Sequence, residues 1–308
     1  VAFFAVRKLD FGYEQGTWVD GYHAGMDMDC STRPDGKPVQ CKPRVASGVV
    51  PPLPHGVDNA LAQSVIRPIA KEPGFALGSS LAEAIEQGQG GLLLILDGWN
   101  GSNYDPNVSA RLVATQGTAD GLPPRWDGTD RWVAFATAWD AKLPGVPKTS
   151  YNETRTAYVA NGWLVWDVRE EETLRLTLQS RGAVFRLDLR DGVLLGKLDS
   201  TSSPTRITEA SFAGTWNVND AERHVGSLGQ LAGGCDSVLW CPLESSIRKR
   251  LDEATDMLLP FHVDGNASPT CDAISVGMAV EMEGTGGVDA LVDTPPLSCG
   301  GMTPECPR

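Results

Sequence analysis

Apolar and polar residues alternate most clearly between Leu174 and Leu189. Leu174, Leu176 and Leu178 are separated by Arg175 and Thr177, and Phe185, Leu187 and Leu189 by Arg186 and Asp188. A period of two is that of a strand with one wet face, so this stretch predicts antiparallel sheet. Asp191-Gly192 is expected to turn the chain into a further strand over residues 193–198. Residues 91–97, 110–115 and 132–136 are short apolar runs between Gly-, Pro-, Asn- and Asp-rich turns. Residues 156–168 carry aromatic and β-branched positions around Asn161-Gly162, a strong hairpin signal. Residues 274–281 return as a strand.

A helical period marks other segments. Leu61, Val65 and Ile69 fall four apart after Asp58 as N-cap, with Pro68 kinking or ending that helix. Residues 79–87 and 220–231 read as shorter helices. Residues 243–259 place Leu243, Ile247, Leu251, Ala254 and Leu258 on one stripe, opposite Arg248, Lys249, Asp252 and Glu253. Strands outnumber helices and join through short turns. The expected fold is therefore mainly β: an antiparallel β-sandwich of jelly-roll type, decorated by several α-helices. Residues 1–56 read as an irregular, disulfide-stapled segment, 57–292 as the sandwich, and 293–308 as a Cys- and Pro-rich tail.

The seven cysteines change the picture of location. Cys30 and Cys41 stand near the start, and Cys235, Cys241, Cys271, Cys299 and Cys306 in the last quarter; no CxxC occurs. Zinc-ribbon and thioredoxin-like readings fail, which leaves disulfides and an oxidising compartment. Short loops favour Cys30–Cys41 and Cys235–Cys241, with Cys271–Cys299 stapling a strand to the tail and Cys306 left over. An odd cysteine could link neighbouring molecules. The chain reads as a mature form after leader removal, exported to the extracellular space, the outer cell surface or the periplasm.

At 308 residues the chain can bury a full core, so disulfides reinforce the fold without being its basis. The net charge of −13 argues against nucleic acid and anionic membrane as partners. No stretch approaches the roughly 18 apolar residues that a spanning helix needs.

Three short motifs carry a resemblance. They are Gly25-Met26-Asp27-Met28-Asp29, Gly56-Val57-Asp58-Asn59-Ala60 before the helix with Ile66, Pro68 and Ile69, and Gly98-Trp99-Asn100-Gly101 with Asp105-Pro106-Asn107-Val108. Together they resemble an uncharacterised family of bacterial secreted or cell-surface proteins, some of them lipoproteins, with Gly-x-Asp-x-Asp and Gly-x-Asp-Asn motifs. Ala157-Tyr158-Val159, Gly192-Val193-Leu194 and Gly214-Thr215-Trp216 fit the same pattern. Where that family's first motif ends in glycine, this chain has Cys30. The resemblance implies a surface location and this organisation, and carries no activity.

Two constellations are candidates for chemistry. Asp20, Asp27, Asp29 and Asp35, with Asp58 and Asn59, supply the clustered oxygens that calcium takes in a flexible loop; Asp27, Asp29, Asp58 and Asn59 are the expected ligands. Against this, Asp58 can simply cap a helix, and the spacing is not that of an EF-hand. The nine tryptophans are the other candidate. Trp99, Asn100, Trp126 and Trp132 are the expected ligand-binding residues, with indole rings stacking on sugar rings and the amide meeting hydroxyls. The alternative is burial in the core, and Trp163 and Trp166, three apart on a strand, must face opposite sides.

No HExxH, G-x-S-x-G, P-loop or Rossmann fingerprint is present in the chain. The sequence points to a secreted or cell-surface non-catalytic binding protein with a loop-borne site that calcium would stabilise, recognising an extracellular polymer or an envelope protein. A structural subunit of an extracellular assembly and an extracellular polysaccharide hydrolase stay open beside it.

Overall fold

The structure is a computed structural model that describes residues 1–14, 17–18, 25–28, 41–45, 57–69, 77–136, 153–168, 173–180, 182–232, 234–235, 240–259 and 269–301. The strands, in chain order, are β1 (Ala2–Asp10), β2 (Tyr13–Glu14), β3 (Thr17–Trp18), β4 (Gly91–Asp97), β5 (Asp105–Thr118), β6 (Trp132–Phe135) and β7 (Glu153–Ala160). They continue with β8 (Trp163–Asp167), β9 (Leu174–Ser180), β10 (Ala183–Asp199), β11 (Arg206–Asn217), β12 (Ala273–Gly284) and β13 (Val288–Val292). A π-helical stretch, Leu61–Ile66, runs into α1 (Arg67–Ile69), followed by α2 (Leu77–Glu86), α3 (Val218–Val225) and α4 (Trp240–Glu253).

Eleven strands form one sheet in the order β13-β6-β5-β4-β1-β12-β11-β10-β8-β7, with β9 attached to β10. The last of these returns to the middle of the row: β7 pairs with the first half of β5, from Asp105↔Val159 to Arg111↔Glu153. That pairing closes β1, β4, β5, β7, β8, β10, β11 and β12 into a ring in which each strand is antiparallel to the next. The order round the ring follows the order in the chain, which makes it an up-and-down barrel. The expected antiparallel, mainly β character holds, while a sheet closed on itself takes the place of two facing sheets. Alternation reports one wet face per strand and is silent on closure, which depends on a pairing between residues far apart.

Two long strands make closure possible by serving two partners on one edge. Residues Asp105 to Arg111 of β5 pair with β7, and Thr115 to Thr118 with β6. In β10, Ala183 to Leu189 pair with β9 and Val193 to Lys197 with β8. The change falls at Asp191-Gly192, where Asp191 has φ 51°. The expected turn there is a bulge that re-aims one continuous strand.

The interior is packed with side chains, among them Phe4, Leu94, Leu112, Leu164, Trp166, Phe212 and Met278, all at most 1% exposed. Trp166 is in this core and Trp163 is only partly buried, as their spacing requires. The run Leu92 to Leu96 is buried on both faces. Leu92, Leu94 and Leu96 join the interior, and Leu93 and Ile95 meet Ala5, Val113, Trp132 and Ala134 in a second apolar cluster. This explains why β4 reads as a continuous apolar run instead of an alternation.

Residues 1–56, expected to be irregular, open with β1, which pairs with β4 on one side and β12 on the other. Its apolar start, Ala2 to Val6, is short and breaks off in the charged pair Arg7-Lys8, which hides the strand. Beyond the end of β1, β12 bonds to the helical segment instead. Asn59 Nδ2 donates to Gly277 O at 3.0 Å, and Ala60 N to Ser275 Oγ at 2.8 Å.

The cysteine pairing expected from short loops is corrected by the fold. Cys41 is bonded to Cys271 (Cα–Cα 5.1 Å) and Cys235 to Cys299 (Cα–Cα 5.4 Å), across 230 and 64 residues of sequence. Cys241 is disulfide-bonded too, and so is not the partner of Cys235. Cys30 and Cys306 lie outside the described residues. The backbone sets the first bridge: Lys42 N donates to Pro269 O and Cys271 N to Lys42 O, each at 2.8 Å, which brings Cys41 beside Cys271. Formed disulfides persist in oxidising compartments. Among the described residues no helix is long and apolar enough to cross a membrane.

Candidate functional site

Three chain segments far apart in sequence build a polar groove on the barrel: the turn after α2, the end of β9, and the loop between β5 and β6. The turn is Gly88-Gln89-Gly90-Gly91. Gly88 N donates to Ile85 O and Gln89 N to Ala84 O, so the helix ends in a glycine with φ +68°. Gly88 O then accepts from Thr118 N at 3.0 Å, tying the turn to the end of β5. Gly117 has φ +141°, and a Cβ there would collide with the Gly88 carbonyl. A Cβ at Gly90 would stand 3.1 Å from Gln179 O. These glycines let three backbones approach closely enough to form a floor.

Above that floor lie two adjoining clefts of about 570 and 270 Å³, which share Thr118, Ala119 and Asp120. The larger carries the amides of Gln89, Gln116 and Gln179. The smaller carries Asp120, Arg125, Asp130, Arg131 and Asp289. Hydrogen bonds brace its wall. Asp130 accepts from Arg125 N (3.0 Å) and Trp126 N (2.8 Å), one on each carboxylate oxygen. Thr118 Oγ1 donates to Leu122 O (2.6 Å), and Asp120 accepts from Leu122 N (3.1 Å). Arg131 donates to Gly286 O and Val288 O, each at 2.7 Å, and stands 3.6 Å from Asp289. Asp127 accepts from both Thr129 N and Thr129 Oγ1, which holds its carboxyl below the usual range. Gln179 Oε1 is buried and accepts no hydrogen bond among the described residues.

The fold brings together only some of the residues singled out from sequence. Trp126 and Trp132 meet with ring centroids 6.1 Å apart, and Trp132 is buried with Nε1 donating to Thr285 Oγ1 at 2.9 Å. Trp99 is partly buried against Phe4, and its Nε1 donates to Ser102 O. Asn100 is exposed and knits its own loop, accepting from Ser102 N and donating from its backbone to Asp105 Oδ2. Trp99 and Trp132 therefore serve packing, and Asn100 holds a turn.

The expected cation ligands have other employment. Asp58 Oδ2 accepts from Met28 N at 2.7 Å while Asp58 N donates to Met26 O, so Asp58 ties its own segment to residues 26–28 through both carboxylate and backbone. Asn59, 1% exposed, caps the helical segment through Oδ1 and Ala62 N at 3.1 Å, the part expected of Asp58. Asp27 is exposed. Asp20, Asp29 and Asp35 lie outside the described residues. Among the described residues no three His, Cys, Asp or Glu side chains gather as a metal-holding group.

A second polar arrangement lies inside. The helical segment, α3 and α4 meet around an apolar cavity of about 40 Å³ lined by Phe11, Val65, Trp216 and Ile247, with Arg186 and His224 as its polar members. His224 Nδ1 is 3.0 Å from Arg186 O, and Nε2 is 3.3 Å from Arg186 Nη2. The pair fits one tautomer, with Nδ1–H donating to the carbonyl and Nε2 accepting from the guanidinium. Burial and the Arg186 charge push the imidazole below its ordinary value of 6.5, with Asp188 and Asp220 pulling the other way. A base depressed in the folded state is protonated first in the unfolded chain. Its contribution is present above about pH 6.5 and is lost as pH falls below that value. The denaturation midpoint of the wild type should drop between about pH 7.5 and about pH 5.5, and more steeply than that of His224→Asn. Parallel pH profiles would assign the loss to other groups.

No protein-family model matches the chain, and neither a curated protein nor a solved structure does. The groove residues escaped the sequence because glutamines have no motif and their three segments meet only in the fold. The Gly88-Gln89-Gly90-Gly91 cluster was the available signal.

Proposed function

We propose that this chain is an exported, non-catalytic binding protein whose groove between the turn after α2, β9 and the β5–β6 loop takes a hydroxyl-rich ligand, a saccharide unit of an extracellular polymer. The observation that carries this reading is the set of three glutamines, Gln89, Gln116 and Gln179, that the fold gathers along the larger cleft. Side-chain amides both donate and accept, as sugar hydroxyls do, so three glutamines suit such a ligand better than a single-sign charge would. The carboxylates of the smaller cleft favour orientation over proton transfer. Asp130 is bonded through both oxygens to backbone N–H groups, and Asp120 and Asp289 are each paired with an arginine. Export is supported by the formed disulfides.

Calorimetric titration with a panel of neutral oligosaccharides tests the reading. A saccharide that binds should lose about three- to tenfold in affinity in Gln179→Ala, the worth of one neutral hydrogen bond. If no saccharide binds, or if Gln179→Ala binds as the wild type does, the groove is not the site.

One observation favours a structural role in an assembly as a second reading. Among the described residues β13 ends the sheet, with Asp289, Ala290 and Leu291 exposed, and a strand edge is a template for pairing with another chain. Light scattering separates the two: a monomer at high concentration removes self-assembly.

A further inference from the structure

We propose a second binding site on the barrel wall, where Arg7 and Arg206 form a clamp for an oxyanion, the carboxylate or sulfate group of a small ligand. It does not depend on the reading of the groove.

The clamp is built around Glu283 of β12, whose side chain is 1% exposed. Glu283 stands between β1 and β11 and lies opposite Arg206 in the register. Arg7 Nη1 donates to Oε2 at 2.6 Å, while Arg206 donates through Nε and Nη2 to Oε1 at 3.1 and 2.9 Å. One buried carboxylate needs one counter-charge. Here it has two, and each arginine side chain is 46% exposed. Arg7 is also held over the Trp126 ring at 5.7 Å from its centroid, so its fork is fixed from two directions.

Two guanidiniums that share one carboxylate repel one another, and Glu283 offsets only one of the charges. Arg7 commits one nitrogen to Glu283 and Arg206 commits two; among the described residues the rest of each half-exposed fork makes no other hydrogen bond or ion pair. Asp199 faces Arg206 across the β10–β11 register, yet its Oδ1 accepts from Thr201 N and Thr201 Oγ1 and it forms no ion pair with Arg206. The surroundings are close-fitted. A Cβ at Gly128 would lie 3.2 Å from Pro204 Cβ, and one at Gly284 would lie 3.0 Å from Thr205 O. Paired, pre-oriented forks match the planar oxygens of carboxylate or the face of sulfate. The net charge of −13 restricts the ligand to a single anionic group, since a polyanion would meet repulsion everywhere else.

The test follows the arginine Nε–H signals of labelled protein while sodium sulfate is added, against sodium chloride at matched ionic strength. Glucuronate against glucose forms a second pair. The expected result is a saturable shift of the Arg7 and Arg206 signals with sulfate and with glucuronate, and none with chloride or glucose. A response to only one of the two anions names the group the clamp takes. Arg206→Gln should weaken binding at least tenfold, and Lys8→Gln, beside the clamp, should leave it unchanged. If Arg206→Gln loses its fold by near-ultraviolet circular dichroism, Trp126→Leu substitutes for it, because it frees Arg7 while leaving the Glu283 pairs in place. Shifts that stay linear, that chloride reproduces, or that persist in the variants would overturn the proposal.

Discussion

Replacing Cys41 and Cys271 together by serine is expected to lower the free energy of unfolding by about 4 to 5 kcal/mol. The bridge closes 230 residues, and for a loop of that length the chain-entropy relation gives roughly 5 kcal/mol. Cys41 and Cys271 are 2% and 0% exposed, so serine adds a small cost of burying a hydroxyl at each site. The corresponding change at Cys235 and Cys299, which closes 64 residues, should cost about 1 kcal/mol less on the same relation. Urea denaturation of the two double variants beside the wild type gives both values. Equal stability of the Cys41/Cys271 variant and the wild type would mean that the backbone bonds around Lys42 hold the segment without help.

Gly117→Ala should be nearly as damaging, at about 3 to 4 kcal/mol. Its φ of +141° is one that L side chains rarely adopt, and the new methyl would strike the Gly88 carbonyl, which is backbone and cannot swing aside. The cost is paired with a change of shape, because Gly88 and Gly117 make the floor beneath Gln89, Gln116 and Gln179. Stability by denaturation and saccharide affinity by titration should therefore fall together. Gly121→Ala is the comparison: its φ is +68° but nothing lies within 4 Å of the added Cβ, so only the backbone preference of about 1 kcal/mol is at stake. Equal losses in the two variants would show that close approach of the backbones is not what Gly117 provides.

What could be read from the sequence was local. The alternation from Leu174 to Leu189 gave β9 and the first half of β10, Asn161-Gly162 gave the β7–β8 hairpin, and the stripe from Leu243 to Leu258 gave α4, which ends at Glu253, short of the expected residue 259. Each is set by neighbours a few residues away. The β1 and β13 strands went unseen because one is broken by Arg7-Lys8 and the other is five residues long. The bulge at Asp191-Gly192 carries the same residues as a turn, and only the continuing ladder with β11 tells them apart. The site was the least visible part. Aromatic and acidic residues drew attention to Trp132, Asp58 and Asn59, which the fold spends on packing and backbone bonds. Gln179 gained its interest from lining one cleft with Gln89 and Gln116, a neighbourhood that exists only once β9 meets the turn after α2.

The closing of the barrel also sets a timetable for folding. β1 pairs with β12 through Phe4↔Gly284, so the first strand of the ring waits for the last. Contacts between such distant segments are slow to form, because loop closure must precede the packing that rewards it. A chain emerging from the ribosome carries β1 to β11 with the ring still open until β12 is available. A topology that ties the two ends of its barrel together thus delays its own completion until almost all of the ring has been delivered, and the Cys41–Cys271 bridge joins the same two distant parts of the chain.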